Sequence, residues 1–192
     1  MRRLLLVRHA STDAVRRAAF PVDEPLDEGG RAAAAQLAGR LGGGEALCSP
    51  AARARETAAA AGLDATVEAA LCECDFGTWG GRSLEDVNRE DPDGVGAWFT
   101  DPDACPHGGE SLTAVLARVG RWMDAQAGED GRAIVVTHGG VVRAAVVYAL
   151  GAPTAAAWQI DVAPLAATEL HARDGRWTVT CVNVPVTGGR AA

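Results

Sequence analysis

Apolar positions in this chain alternate between short runs and longer stretches of helical period. Leu4 to Val7 is a four-residue apolar run, which predicts a short buried strand. Ala33, Ala34, Leu37 and Leu41 then share one face of a helix expected from about Gly30 to Leu41. Asp27 is its candidate cap and Gly42-Gly43-Gly44 its stop. Glu45 to Cys48 predicts a second strand, and Ser49-Pro50 opens a helix running to about Ala61. Proline suits a first turn, where its missing N–H costs nothing. A third short strand falls within Asp64 to Leu71.

The stretch from Cys72 to Cys105 is broken by Gly, Pro and Asp, with two short helices expected over Leu84–Glu90 and Gly94–Thr100. A segment of that length without a strand reads as a lid or insertion over a site. The clearest helix follows, capped by Ser111, with Leu112, Val115, Leu116, Val119, Trp122 and Met123 at helical spacing. Arg132 to Thr137 predicts another buried strand, His138-Gly139-Gly140 its exit turn, and Val141 to Leu150 a helix. Two alternating runs about Asp174-Gly175, Ala166–Ala172 and Trp177–Val184, read as a hairpin. Residues 11–25 read as a loop and 186–192 as a loose tail. The order of elements predicts one α/β domain over 1–192: three αβα layers, a mostly parallel sheet and an antiparallel edge.

Composition narrows the function classes. The net charge is −7, a poor match to nucleic acid or an anionic membrane surface. All 18 basic residues are arginine, which excludes Schiff-base lysine and P-loop chemistry. The 5 cysteines are scattered without a C-x-x-C pair, so a reduced, cytoplasmic protein fits better than a disulfide framework. The apolar run after Arg2-Arg3 ends at Val7, too short for a signal peptide.

Two predicted strands end alike, in Arg8-His9 and in His138-Gly139-Gly140. If they are neighbours, both imidazoles face one crevice at the carboxyl ends of the strands, where open α/β sheets bind ligands. The helix after His138 would aim its N-terminal amides there, and Arg53, near the start of another helix, adds a second guanidinium. Such a set suits a phosphoryl group. Arginine forks clamp its oxygens, a neutral imidazole attacks phosphorus, and a carboxylic acid protonates the leaving oxygen.

The motifs Leu6-Val7-Arg8-His9-Ala10-Ser11-Thr12, Ser49-Pro50-Ala51-Ala52-Arg53-Ala54-Arg55-Glu56-Thr57-Ala58 and Val135-Val136-Thr137-His138-Gly139-Gly140-Val141-Val142-Arg143 resemble the histidine phosphatase superfamily, with its phosphoglycerate-mutase-like fold. Leu71-Cys72-Glu73-Cys74-Asp75-Phe76-Gly77-Thr78-Trp79-Gly80-Gly81 and Gly108-Gly109-Glu110-Ser111 match further signatures and are similar to the α-ribazole phosphatase branch. The resemblance implies that His9 is the phosphorylated nucleophile and Glu73 the proton donor. It implies that Arg8, Arg53 and His138 complete the phosphate pocket, that Thr12 faces the phosphate, and that no metal is required. No cofactor is expected. Gly139 and Gly140 allow close backbone approach to an oxyanion.

The expected function is therefore metal-independent hydrolysis of a small phosphorylated metabolite, by a monomer or homodimer. The alternatives are a phosphoglycerate mutase, which in this fold is usually longer, and a non-catalytic phospho-ligand module. Asp75 and Glu110 compete with Glu73 for the acid role. The family usually has glycine at Ala10, whose methyl would narrow the pocket slightly, and often asparagine at Val15. His107 is read as a rim residue and His171 as structural. Arg143 either reaches back to the pocket or makes a helix-face ion pair. Trp79 and Trp98 either line the substrate mouth or pack in a core.

Overall fold

Leu4 and Leu6 point to one face of the first strand and Leu5 and Val7 to the other, and both faces are covered. The computed structural model describes residues 1–186, so the tail expected over 186–192 lies, beyond Val186, outside the described residues. The strands are β1 (Arg2–Arg8), β2 (Glu45–Cys48), β3 (Thr66–Val67), β4 (Gly131–Thr137), β5 (Ala166–Arg173) and β6 (Arg176–Pro185). The helices are α1 (Asp13–Arg16), α2 (Glu28–Ala35), α3 (Ala52–Ala60), α4 (Leu84–Glu90), α5 (Pro92–Thr100), α6 (Leu112–Ala127) and α7 (Gly139–Leu150).

The sheet order is β3-β2-β4-β1-β5-β6. The strands from β3 to β1 run parallel, and β5 and β6 form the antiparallel edge. Leu4, Leu6, Ala133 and Val135 pack under α6 and α7 against Val115, Val119, Met123 and Val141. On the other face Val7 and Ile134 meet Leu37 and Leu41, while Cys48 and Val136 meet Ala54 and Ala58 of α3. Alternate side chains of each central strand thus feed opposite layers, which gives the expected αβα arrangement. Asp174 and Gly175 both take positive φ, 52° and 72°, as a tight hairpin turn of the observed kind needs.

Three local expectations are corrected. The helix expected over Gly30 to Leu41 is α-helical only over Glu28–Ala35. Leu37, Ala38 and Arg40 then bond three residues back, and Gly39 takes a φ of 73°. Pro50 precedes α3 instead of sitting in its first turn, because the cap is Ala51. Ala51 has no capping side chain, and the Ala52 amide is satisfied by Asp23 Oδ1 at 2.7 Å. Residues 11–25 hold the short helix α1, capped by the Thr12 hydroxyl.

The 72–105 segment carries α4 and α5 and builds a core of its own from Trp79, Val87, Val95 and Trp98, together with Phe20 of the first loop. Backbone bonds from Phe20 to Arg82, from Gly81 to Phe20 and from Leu84 to Ala18 join it to that loop. The two segments therefore stand together beside the strand ends. Among the described residues, no helix is long and apolar enough to cross a membrane.

Candidate active site

β4 lies between β2 and β1, so three parallel strands end side by side. The register pairs Arg8 with Thr137 and Cys48 with Val136. The ladder continues one residue beyond each strand: the His9 amide donates to Thr137 O at 2.8 Å, and the Ser49 amide to Val136 O at 3.0 Å. His9, His138 and Ser49 are thereby brought together by backbone alone. The two imidazole rings are 5.1 Å apart, edge to face, at 64°.

His9 is buried, and its Nδ1 lies 2.8 Å from the carbonyl of Ala10. A carbonyl only accepts, so in the neutral ring Nδ1 carries the proton and Nε2 keeps its lone pair. Burial pushes the imidazolium pKa down to about 3; Arg53 and then Arg8 push it the same way, against the Ala10 bond. The ring is therefore neutral at physiological pH, as a nucleophile must be.

His138 is also held neutral, its pKa well below the ordinary value through burial first and then the charge of Arg53. Its Nε2 lies 2.7 Å from Ser49 Oγ. That oxygen also accepts the Ala51 amide at 3.3 Å and can give its own proton to the imidazole. In the tautomer that takes this proton on Nε2, the ring proton sits on Nδ1, which is buried without a partner among the described residues.

Both guanidiniums are aimed by carbonyls. Arg8 Nη1 donates to Val162 O at 2.6 Å, and Arg53 Nη1 to Val22 O at 2.8 Å. The Nε of each is buried and unpartnered among the described residues. Arg53 is only 2% exposed, and Glu24 Oε1 stands 3.7 Å from it. Burial lowers the pKa of Arg8 while Glu73 raises it, which places that carboxylate near the guanidinium.

Glu73 is positioned by two amides: Cys74 N donates to Oε1 at 3.0 Å and Gly140 N to Oε2 at 3.3 Å. A Cβ at Gly140 would displace Oε1 from its present position, so glycine there lets the Glu73 carboxyl lie against the helix start. The competing carboxylates are bound by other partners, Glu110 through both oxygens and Asp75 through one. Glu110 is bound by Arg118 Nε at 3.0 Å and Nη2 at 2.7 Å, and Asp75 Oδ1 accepts the Gly77 amide at 2.8 Å.

Several residues sit differently from expectation. Thr12 is fully buried, and its hydroxyl caps α1 at Val15 and gives its proton to Glu24 at 3.2 Å. Gly139 lies against Arg8, where a Cβ would make an ordinary 3.6 Å contact. The methyl of Ala10 packs against Leu26 and Ala34 under α2 and does not narrow the pocket. His107 is no rim residue. It is buried, accepts the Gly109 amide through Nδ1 at 3.1 Å, and packs 5.0 Å from Trp79. Arg143 makes no ion pair among the described residues; it donates to Ile160 O at 2.9 Å and reaches the cleft beside His9. His171 pairs with Glu169 on β5, away from the site.

Four contributors escaped sequence reasoning. Ser49 and Thr57 lie inside a quoted motif, and their positions at a strand end and on the helix behind it were the signal available. Glu24 and Arg118 act across 29 and 45 residues to reach Arg53 and Glu73, and nothing local marks them.

Two clefts meet at Glu73. One, of about 390 Å³, includes Arg53, Ser49 and Asp75. The other, of about 620 Å³, includes Arg8, His9, Val15, Glu24 and Arg143. An imidazole with one free nitrogen, two oriented guanidiniums and a carboxyl group on one rim make a set that can transfer a phosphoryl group.

The family model for the histidine phosphatase superfamily (branch 1) matches residues 4–185. A bifunctional protein of Mycobacterium tuberculosis is 35% identical over 94% of this chain and 53% of its own length. The chain thus spans about half the length of the first curated relatives it matches. The adenosylcobalamin/alpha-ribazole phosphatase of Salmonella typhimurium is 33% identical, over 83% of this chain and 85% of that protein. A mycobacterial glucosyl-3-phosphoglycerate phosphatase solved with VO3 superposes with a TM-score of 0.85 at 28% identity, covering 96% of this chain and 100% of that one.

Proposed function

The chain belongs to the histidine phosphatase superfamily, and on that premise we propose that it hydrolyses a small phosphorylated metabolite through a phosphohistidine on His9. The observation that carries this reading is the lock on the His9 tautomer. With Nδ1–H committed to the Ala10 carbonyl, Nε2 is the nitrogen left to attack. Arg8 and Arg53 hold the transferring oxygens, and neutral His138 contributes its Nδ1–H.

In the first step the Nε2–P bond forms while the ester P–O bond breaks, and the departing oxygen takes a proton from Glu73. In the second step a water attacks phosphorus, the Nε2–P bond breaks, and the water's proton returns to the Glu73 carboxylate. Each step leaves the enzyme ready for the next. Neither uses a metal. Small-molecule phosphatases among the relatives, named for alpha-ribazole, glucosyl-3-phosphoglycerate and phosphoserine, support the substrate class. The acidic charge of −7 and 5 free cysteines favour a small substrate in a reducing, cytoplasmic setting.

The test is steady-state hydrolysis of 4-nitrophenyl phosphate in excess EDTA by the natural chain and by His9→Ala. Full activity in EDTA that is lost in the variant supports the proposal. Loss to EDTA, or survival of most activity in the variant, contradicts it.

A further inference from the structure

The cleft that holds His9 extends well past the space a phosphoryl group fills, and its lining is unlike that of the phosphate end. Among the described residues, sixteen line it; eleven are apolar and none is Ser, Thr, Asn, Gln or Tyr. Arg8, His9, Glu24, Glu73 and Arg143 are the ionisable groups among these, and three of them belong to the phosphoryl chemistry already proposed. Glu24 is occupied by Thr12 and by the Val22 amide at 2.9 Å. The far wall is aromatic. Trp98 and Trp158 stand edge to face at 4.6 Å, Phe99 lies 5.1 Å from Trp158, and Phe20 is 5.6 Å from Trp98. Phe99 is 40% exposed, at the open side of that wall.

From this lining, and resting on the phosphatase reading, we infer that the leaving group carries a planar aromatic ring, which packs on the wall made by Trp98, Phe99 and Trp158. A polyhydroxyl leaving group would surrender water hydrogen bonds in this cleft and find few replacements. A ring loses little polar hydration and gains faces and edges to pack on. The wall is contiguous with the nucleophile, so the ring and the scissile phosphate belong to one molecule. Arg143 is the group in the cleft that favours a different ligand, a leaving group bearing a carboxylate, and the experiment separates the two.

The experiment compares kcat/KM for ribose 5-phosphate, a purine nucleoside 5′-monophosphate and O-phosphoserine, all esters of primary alcohols with similar intrinsic reactivity. The nucleotide is expected to exceed both others by roughly five- to tenfold, chiefly through KM. Phe99→Ala, at an exposed position, and Trp158→Ala are expected to shrink that ratio, and Trp158→Phe to retain most of it. Equal values for the three esters, a preference for phosphoserine, or a ratio untouched in both alanine variants overturns the inference while the phosphatase reading stands. Hydrolysis of none of the three, nor of 4-nitrophenyl phosphate, overturns both.

Discussion

The Thr57 hydroxyl accepts the Ala10 amide at 3.0 Å and donates to the Arg53 carbonyl at 2.7 Å. One buried oxygen thus ties the turn that carries His9 to the helix that carries Arg53. Thr57→Val keeps the shape and leaves the Ala10 amide unpaired, at a cost of about 1–3 kcal/mol. Urea unfolding is expected to show that loss, and kcat to fall with it. Thr57→Ser, which keeps the oxygen, should recover most of both.

Ser49 holds Nε2 of His138 from the neighbouring strand. In Ser49→Ala the buried Nε2 loses its partner and the ring loses its orientation. We expect kcat to fall roughly tenfold, equivalent to about 1.4 kcal/mol of transition-state stabilisation. Rapid-quench kinetics should locate the loss in phosphoryl transfer, with KM little changed.

Glu73→Gln removes the transferable proton and keeps one oxygen to accept one of the two amides. The expected loss in kcat/KM, which reports transfer to His9 before the second step shared by all esters, is about 10²–10⁴-fold for alkyl phosphates. It should be far smaller for 4-nitrophenyl phosphate, whose leaving oxygen departs without a proton. Equal losses on both esters would remove Glu73 from the acid role.

The low pKa of His9 has a consequence for stability. The folded ring titrates near 3 and the unfolded one near 6.5, so between these values the unfolded chain binds more protons. Stability therefore rises with pH across that window and is lost as pH falls below about 6.5. At pH 5 the contribution of this one ring is about 2 kcal/mol lower than at neutral pH. Denaturant titrations should find this slope in the natural chain and a shallower one in His9→Asn. In NMR titrations the His9 ring signals should stay constant from pH 8 down to about pH 4, where an ordinary histidine has long since moved.

Arg118 binds Glu110 with two nitrogens and reaches the carbonyls of Ala70 and Cys72 at 2.7 and 2.9 Å. It anchors the segment that presents Glu73 without touching the cleft. Arg118→Ala is expected to cost about 2 kcal/mol and to lower kcat, and Arg118→Lys to restore little, since an ammonium cannot span that fork.

The sheet was legible because its central strands are short apolar runs bounded by charge and glycine, and His9 and His138 drew notice because each stands one residue past the end of such a strand. Adjacency of β1 and β4 turned two strand ends into one site. The parts that escaped are those where one segment completes another. Ala51 has no capping side chain, and its helix is capped by Asp23 from a distant loop. Thr12 follows Arg8-His9 in the first motif, yet its hydroxyl is taken by α1 and Glu24. His107 disappears into an aromatic core whose members come from residues 20, 76, 79 and 98. Such pairings leave no periodic trace, because the partners lie on different elements.

The central claim is a covalent bond between His9 Nε2 and phosphorus. Its most direct measurement is rapid acid-free quenching during turnover, followed by intact-mass and fragment mass analysis of the enzyme. The expected result is one phosphoryl group, labile to acid and stable to base, on the peptide containing His9 and absent from His9→Ala. Turnover with no phosphorylated enzyme under conditions that slow the second step, or a phosphoryl group on any other residue, would contradict the account.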